Sequence, residues 1–257
     1  MTKIRFIEGV SGVGKSTMVR SLTEALSARG YRVKSYVEFD FTNPIDFYCT
    51  AYFSKDAHAH LCAQYEEHLD RIKRYSIPAG DAVLVRYYDE DTPLFEEPLL
   101  TVIREAEFCY HPRHLVSMAQ YTAAYRAVWQ NFIASLDPSV DVYLFDGSLL
   151  HHPINDMMRN YRVTAGQAGD HIAVLLETLH GVDWSVQYLY TDDIAAQLTL
   201  AHKNRGQKPP TAEEIAFWEQ RRQNDQYVLD RLIKNRTAYC VSDIGWDSAR
   251  AQIVKTL

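Results

Sequence analysis

Residues 3–9 (KIRFIEG) form a short apolar-rich run that ends on a glycine, which predicts a buried strand. From 16 to 29, apolar or small residues fall at Met18, Val19, Leu22, Ala25 and Leu26, a helical spacing, and Gly30 after Arg29 predicts the stop. Residues 31–38 (YRVKSYVE) read as a second strand. Three later apolar runs, 141–146 (DVYLFD), 186–190 (VQYLY) and 238–242 (AYCVS), read as further strands. Helical patterns fill about 58–75, 112–136, 168–180, 192–204, 211–234 and 247–256. Strands alternating with helices predict one three-layer α/β domain over 1–257, with a mostly parallel sheet covered on both faces.

About a hundred residues separate Asp40 from Asp141, far more than one crossover needs. Residues 41–137 therefore read as a largely helical insertion, with a strand-like stretch around 81–108 that carries an acidic, proline-containing turn. Lying over the carboxyl ends of the strands, where ligands of such sheets bind, the insertion is expected to hold the substrate.

Composition narrows the classes. The 257 residues are 47% hydrophobic with a net charge of -6, which argues against a nucleic-acid surface. Four scattered cysteines, Cys49, Cys62, Cys109 and Cys240, form no C-x-x-C and read as free thiols. No apolar run reaches the roughly 18 residues of a membrane helix, and no leader precedes the first strand. The expectation is a reduced, cytoplasmic protein with no nucleic-acid or membrane partner.

The strongest chemical signal is Gly9-x-x-x-x-Gly14-Lys15-Ser16, set between a predicted strand and a predicted helix. Gly9, Gly12 and Gly14 let the backbone curl so that successive N–H groups meet one anion, and the following helix adds its positive end. Gly9, Val10, Ser11, Gly12, Val13, Gly14, Lys15, Ser16 and Thr17 are the expected nucleotide contacts. Lys15 reaches the β and γ phosphates and the Ser16 hydroxyl serves Mg²⁺. The cofactors expected are ATP, with GTP second, and Mg²⁺. The GTPase motifs N-K-x-D and D-x-x-G are absent, and so is the L-S-G-G of transporter ATPases.

With the loop, the strand layout and four further motifs, the chain resembles the small-molecule and nucleotide kinases of the P-loop fold: thymidylate kinase, the deoxynucleoside kinases and related antibiotic phosphotransferases. The resemblance implies a thymidylate kinase-like sheet and a role for each motif. The acid closing the second strand, in V37-E-F-D40, would accept the proton of the acceptor hydroxyl; Glu38 and Asp40 both qualify, on one side if the strand runs on. Asp146, in D146-G-S148, matches the acid of a D-R motif and would serve the metal with Ser16, while Gly147 replaces the arginine. Residues 202–210 correspond to the lid, with Arg205 closing over the triphosphate and Lys203 and Lys208 next to it. V241-S-D-I-G-W246 would run past the base. A homodimer through the helix 112–136 is expected by analogy alone.

The acceptor is expected to be a small molecule bearing a hydroxyl: a nucleoside or nucleotide first, then an antibiotic or other polyhydroxylated metabolite. The insertion is rich in tyrosine, including Tyr48, Tyr52, Tyr65, Tyr75, Tyr87, Tyr88, Tyr110, Tyr121 and Tyr125, which suits a planar or sugar-bearing ligand or plain helix packing. The acids from Asp89 to Glu97 read as a solvated turn or as a contact for a cationic acceptor. His58/His60 and His111/His114 are a weak metal pattern. His151, His152, Asn155 and Arg159 follow the third strand closely and are placed near the cleft. The competing reading is a nucleotide-dependent switch with the insertion as a partner surface.

Overall fold

The computed structural model describes residues 2–256. In chain order the elements are β1 (Lys3–Glu8), α1 (Lys15–Ser27), β2 (Val33–Tyr36), β3 (Thr50–Ser54), α2 (Lys55–Gln64), α3 (Leu69–Arg74), β4 (Ser76–Ala79) and β5 (Ala82–Arg86). Then come β6 (Tyr88–Asp89), β7 (Thr92–Pro93), α4 (Leu99–Glu105), α5 (Met118–Ala134), β8 (Val142–Asp146), α6 (His151–Asp156) and α7 (Ala165–Thr178). The chain closes with β9 (Asp183–Tyr190), α8 (Ile194–Asn204), α9 (Ala212–Leu232), β10 (Arg236–Cys240), α10 (Val241–Ile244) and α11 (Trp246–Thr256).

The chain divides into two compact units. The first comprises residues up to Glu38, Leu136–Asn155 and Val163 onward; the second comprises Phe39–Ser135 and Asp156–Arg162.

The first unit is built on a five-stranded sheet in the order β10-β9-β1-β8-β2, every neighbouring pair parallel. This is the parallel α/β sheet expected, and all five strands lie where the hydrophobic pattern predicts them. β1 is central, paired on one side with β8 (Ile7 opposite Asp146) and on the other with β9 (Glu8 opposite Tyr188). Near-continuous burial of β1 and β8 follows from both faces being covered. α1 buries Lys15, Met18, Val19, Leu22 and Leu26 on one stripe. That stripe packs with Ile7, Leu144 and Leu189 of the sheet and Ile253 of α11. Each such fully buried large aliphatic stabilises the fold by about 1.5–3 kcal/mol. The helix stops as the sequence predicts: the Gly30 N–H donates to the Ser27 carbonyl at 2.9 Å and the Tyr31 N–H to Leu26 at 3.2 Å, with Gly30 at φ 86.

The second strand is shorter than its pattern. β2 ends at Tyr36, and Phe39 adopts a φ of 64. The alternation that would have sent Glu38 and Asp40 to one side does not extend that far, because extended geometry is lost between them.

The second unit holds helices and a sheet of its own, antiparallel in the order β3-β5-β4, plus the short hairpin β6–β7. Its core joins Ala51, Val85 and Phe95 to Leu99 and Ile103 of α4. The predicted helix 58–75 is broken at Tyr65, where φ -121 and ψ 54 leave helical geometry, into α2, a short 3₁₀ turn and α3. The strand-like stretch 81–108 contains β5, the hairpin and also α4. α5 starts later than its pattern, at a capping box in which Ser117 accepts the Gln120 N–H at 3.2 Å and the Gln120 side chain accepts the Ser117 N–H at 3.0 Å. Among the described residues no helix is long and apolar enough to cross a membrane.

Candidate active site

The loop between β1 and α1 turns through three left-handed glycines, at φ 142, 83 and 90 for Gly9, Gly12 and Gly14. All three also allow close approaches. A Cβ on Gly9 would stand 2.2 Å from the Leu189 carbonyl oxygen, and one on Gly12 would stand 2.8 Å from the Ala201 Cβ. β9 and α8 therefore press on the loop from outside, and the Gln197 amide adds a hydrogen bond to the Gly12 carbonyl at 2.6 Å. Trp246, at the start of α11, sets its indole nitrogen where a Cβ on Gly14 would fall at 2.9 Å. Val10 and Val13 anchor the loop in the core. Ser16 is half-buried and Thr17 exposed in the first turn of α1.

Lys15 is 7% exposed and folds back over the loop, its Nζ donating to the Val10 carbonyl at 3.2 Å. The same nitrogen lies 3.4 Å from His151 Nδ1. His151 belongs to α6, the helix that follows β8, and its Nδ1 is 3.0 Å from the Gly9 carbonyl oxygen. The Asn155 amide reaches its Nε2 at 3.2 Å, and its ring stacks on Trp218 at 5.5 Å with a 6° tilt. Burial, reinforced by the charges of Lys15 and Arg221 and by His152, pushes the imidazole well below its ordinary pKa, so it is neutral.

Glu8 is the last residue of β1 and is wholly buried. Its carboxylate accepts the backbone N–H groups of Leu149 and Leu150 at 2.8 and 3.1 Å and of His151 at 2.9 Å, the start of α6. Burial raises its pKa to about 7, and these three N–H groups limit the rise. The hydrophobic pattern hid this acid by absorbing it into the strand. An ionisable residue at the end of an otherwise apolar strand, next to a glycine loop, was the available signal.

Asp146 closes β8, one strand over from the loop. It is 1% exposed; Oδ2 accepts the Glu38 N–H at 3.4 Å, and Oδ1 has no protein partner. A buried carboxylate oxygen left open in this way fits a cation or its water shell, so Asp146 with the Ser16 hydroxyl suits Mg²⁺. Gly147, which replaces the arginine of the related motif, has a φ of 67, and a Cβ there would lie 2.8 Å from the Cβ of His151. The turn that places His151 thus has no room for a side chain at 147.

The two candidate bases differ. Glu38 lies in the turn after β2, half-buried, and no hydrogen bond or ion pair engages its carboxylate among the described residues. Asp40 spends Oδ1 on Thr42, accepting its N–H at 2.8 Å and its hydroxyl at 2.6 Å.

In the segment 202–210, Arg205 is exposed directly after α8, four residues beyond the Ala201 that touches the loop. His202 closes the segment on itself, with Nδ1 2.6 Å from the Lys208 carbonyl oxygen and Nε2 3.3 Å from Glu214. Arg221 points inward but is committed: it is fully buried, pairs with Asp225 at 2.9 Å and donates to the Leu150 carbonyl at 2.8 Å, while Tyr188 adds its hydroxyl to Asp225 at 2.9 Å. Burial raises the Asp225 pKa and Arg221 opposes the rise. Arg222 is held by the Thr191 carbonyl at 2.7 Å and by Asp192 at 3.5 Å. Beside it a cleft of about 390 Å³ is lined by Asp192, Ile194, Glu219, Arg222, Gln223 and Gln226.

Of the other sequence candidates, Tyr65, Tyr87, Tyr121 and Tyr125 are buried in the second unit. The Tyr121 hydroxyl meets that of Tyr125 at 3.2 Å, and the Tyr110 hydroxyl donates to Asp46 at 2.8 Å. All four cysteines are free thiols. The pairs His58/His60 and His111/His114 join no cluster fit to hold a metal among the described residues; Asp192, Cys240 and Asp243 form such a cluster.

No family model and no curated protein matches the chain. Among solved structures, a gluconokinase from Sinorhizobium meliloti 1021 aligns over 99% of this chain and 94% of its own, at 13% identity and a TM-score of 0.35.

Proposed function

We propose that the protein is an ATP- and Mg²⁺-dependent kinase of the thymidylate kinase-like group that moves the γ-phosphate to a hydroxyl of a small molecule. The observation that carries the reading is a left-handed glycine loop at the head of α1, with Lys15 on one side and the open carboxylate oxygen of Asp146 at the next strand end. The loop N–H groups from Gly9 to Thr17 cradle the phosphates. Lys15 leaves the Val10 carbonyl, an acceptor that costs little to give up, and turns to the β and γ phosphates. Ser16 and Asp146 would hold Mg²⁺, which when bound would neutralise charge on the phosphate oxygens.

In the transfer, the acceptor oxygen forms a bond to the γ-phosphorus as the bond to the β-bridging oxygen breaks, and ADP leaves. The acceptor proton passes to Glu38 or Asp40. The engagement of Asp40 with Thr42 favours Glu38. Arg205 closes from the 202–210 segment onto the triphosphate and excludes water. The acceptor is held by residues 41–137 and is a nucleoside, a nucleotide or another polyhydroxylated compound such as an antibiotic.

The test is transfer from γ-labelled ATP with Mg²⁺ to a panel of nucleosides, nucleotides and aminoglycosides, with a no-acceptor control. Labelled product in one class supports the reading. Label released only as free phosphate sinks it and favours a nucleotide-dependent switch.

A further inference from the structure

We infer that His151 is a positioning residue of the nucleotide loop: with its hydrogen on Nδ1 it clasps the Gly9 carbonyl and leaves Lys15 tied to the loop by a single acceptor. This rests on the reading of residues 9–17 as a nucleotide site. The tautomer follows from the partners. A carbonyl oxygen accepts only, so the 3.0 Å contact between Gly9 O and Nδ1 requires a hydrogen on that nitrogen. The other ring nitrogen is then an acceptor, and the Asn155 amide donates to it at 3.2 Å. Lys15 Nζ, at 3.4 Å from Nδ1, faces an N–H rather than a lone pair and gains no hydrogen bond there. Its remaining protein acceptor is the Val10 carbonyl.

The opposite tautomer would reverse both effects. Nδ1 would repel the Gly9 carbonyl and accept from Lys15, releasing the loop while holding the lysine. The surroundings keep the ring in place: Trp218 stacks on it, the Glu8 carboxylate holds the His151 N–H at 2.9 Å, and Gly147 leaves space for its Cβ. His151 thus shapes the loop through Gly9 without needing to touch the transferred group.

The first measurement is the ¹⁵N spectrum of the histidine rings in the full-length protein. A neutral His151 with its proton on Nδ1 is expected at pH 7. A proton on Nε2, or an imidazolium, overturns the inference. The second is the affinity for a fluorescent ATP analogue with Mg²⁺ and no acceptor. His151→Phe keeps the stacking on Trp218 but loses both hydrogen bonds and is expected to bind about tenfold more weakly. His151→Asn, which offers an N–H near the position of Nδ1, is expected to recover most of the loss. Equal binding by wild type and His151→Phe, or a loss in both variants that tracks their melting temperatures, overturns the inference while leaving the kinase reading intact. Absence of nucleotide binding by the wild type instead removes the reading beneath it.

Discussion

Glu8 holds the first turn of α6 through the backbone of His151, accepting that N–H at 2.9 Å from inside the core. Glu8 keeps its proton up to about pH 7 in the fold, against a value of 4.5 when unfolded. Between those values the folded chain binds more protons, so the stability from this group is complete below about pH 4.5 and is lost as pH rises through about 7. The difference amounts to about 3 kcal/mol. Buried His171, held down to about 3, works in the opposite direction over much of the same range. The expected observation is therefore a difference: stability of wild type minus that of Glu8→Gln, from urea denaturation, falls between pH 5 and 7 and is level above. A difference independent of pH would refute the raised pKa.

Gly9→Ala is expected to cost several kcal/mol, on the order of 3 or more, because the new methyl meets a backbone oxygen that no rotamer change moves. Gly181→Ala is the control. Gly181 also has a positive φ, 80, but no atom within 4 Å of the added Cβ, so its cost should be about 1 kcal/mol. Paired denaturation curves check this; equal losses would place the whole effect in the dihedral angle.

Lys15→Met removes one hydrogen bond to Val10 and is expected to change stability by about 1 kcal/mol or less. Phosphoryl transfer should fall by about 10²–10³. Asp146→Asn removes a buried charge whose Oδ1 has no partner, so the fold should be as stable or more so, while the response of nucleotide binding to added Mg²⁺ disappears. Titrating Mg²⁺ against both variants at fixed nucleotide separates the two roles, and an unchanged Mg²⁺ response in Asp146→Asn would remove that residue from the metal site.

Arg221→Leu is expected to destabilise by about 3–5 kcal/mol, since it strands the Asp225 carboxylate in a fully buried setting. The double change Arg221→Leu with Asp225→Leu should recover a large part. If the double variant is no more stable than the single one, the pair owes its worth to its hydrogen bonds with Leu150 and Tyr188 rather than to charge.

What the sequence determined by itself was local. The five strands, the stripe on α1, the stop at Gly30 and the glycine loop are written in residues close together in the chain, where spacing and φ preference suffice. The end of the second strand was misjudged because V37-E-F-D40 alternates like a strand, whereas β2 finds its partner β8 only as far as Tyr36. The tertiary structure decided the surroundings of the loop. Glu8 meets α6 across 143 positions of sequence and Gln197 meets Gly12 across 185. Arg221, a cation that lies four positions from Asp225 on α9, is sealed against it by burial. Whether an ionisable side chain serves solvent, ligand or core depends on what the fold packs around it, and that depends on contacts no local pattern encodes.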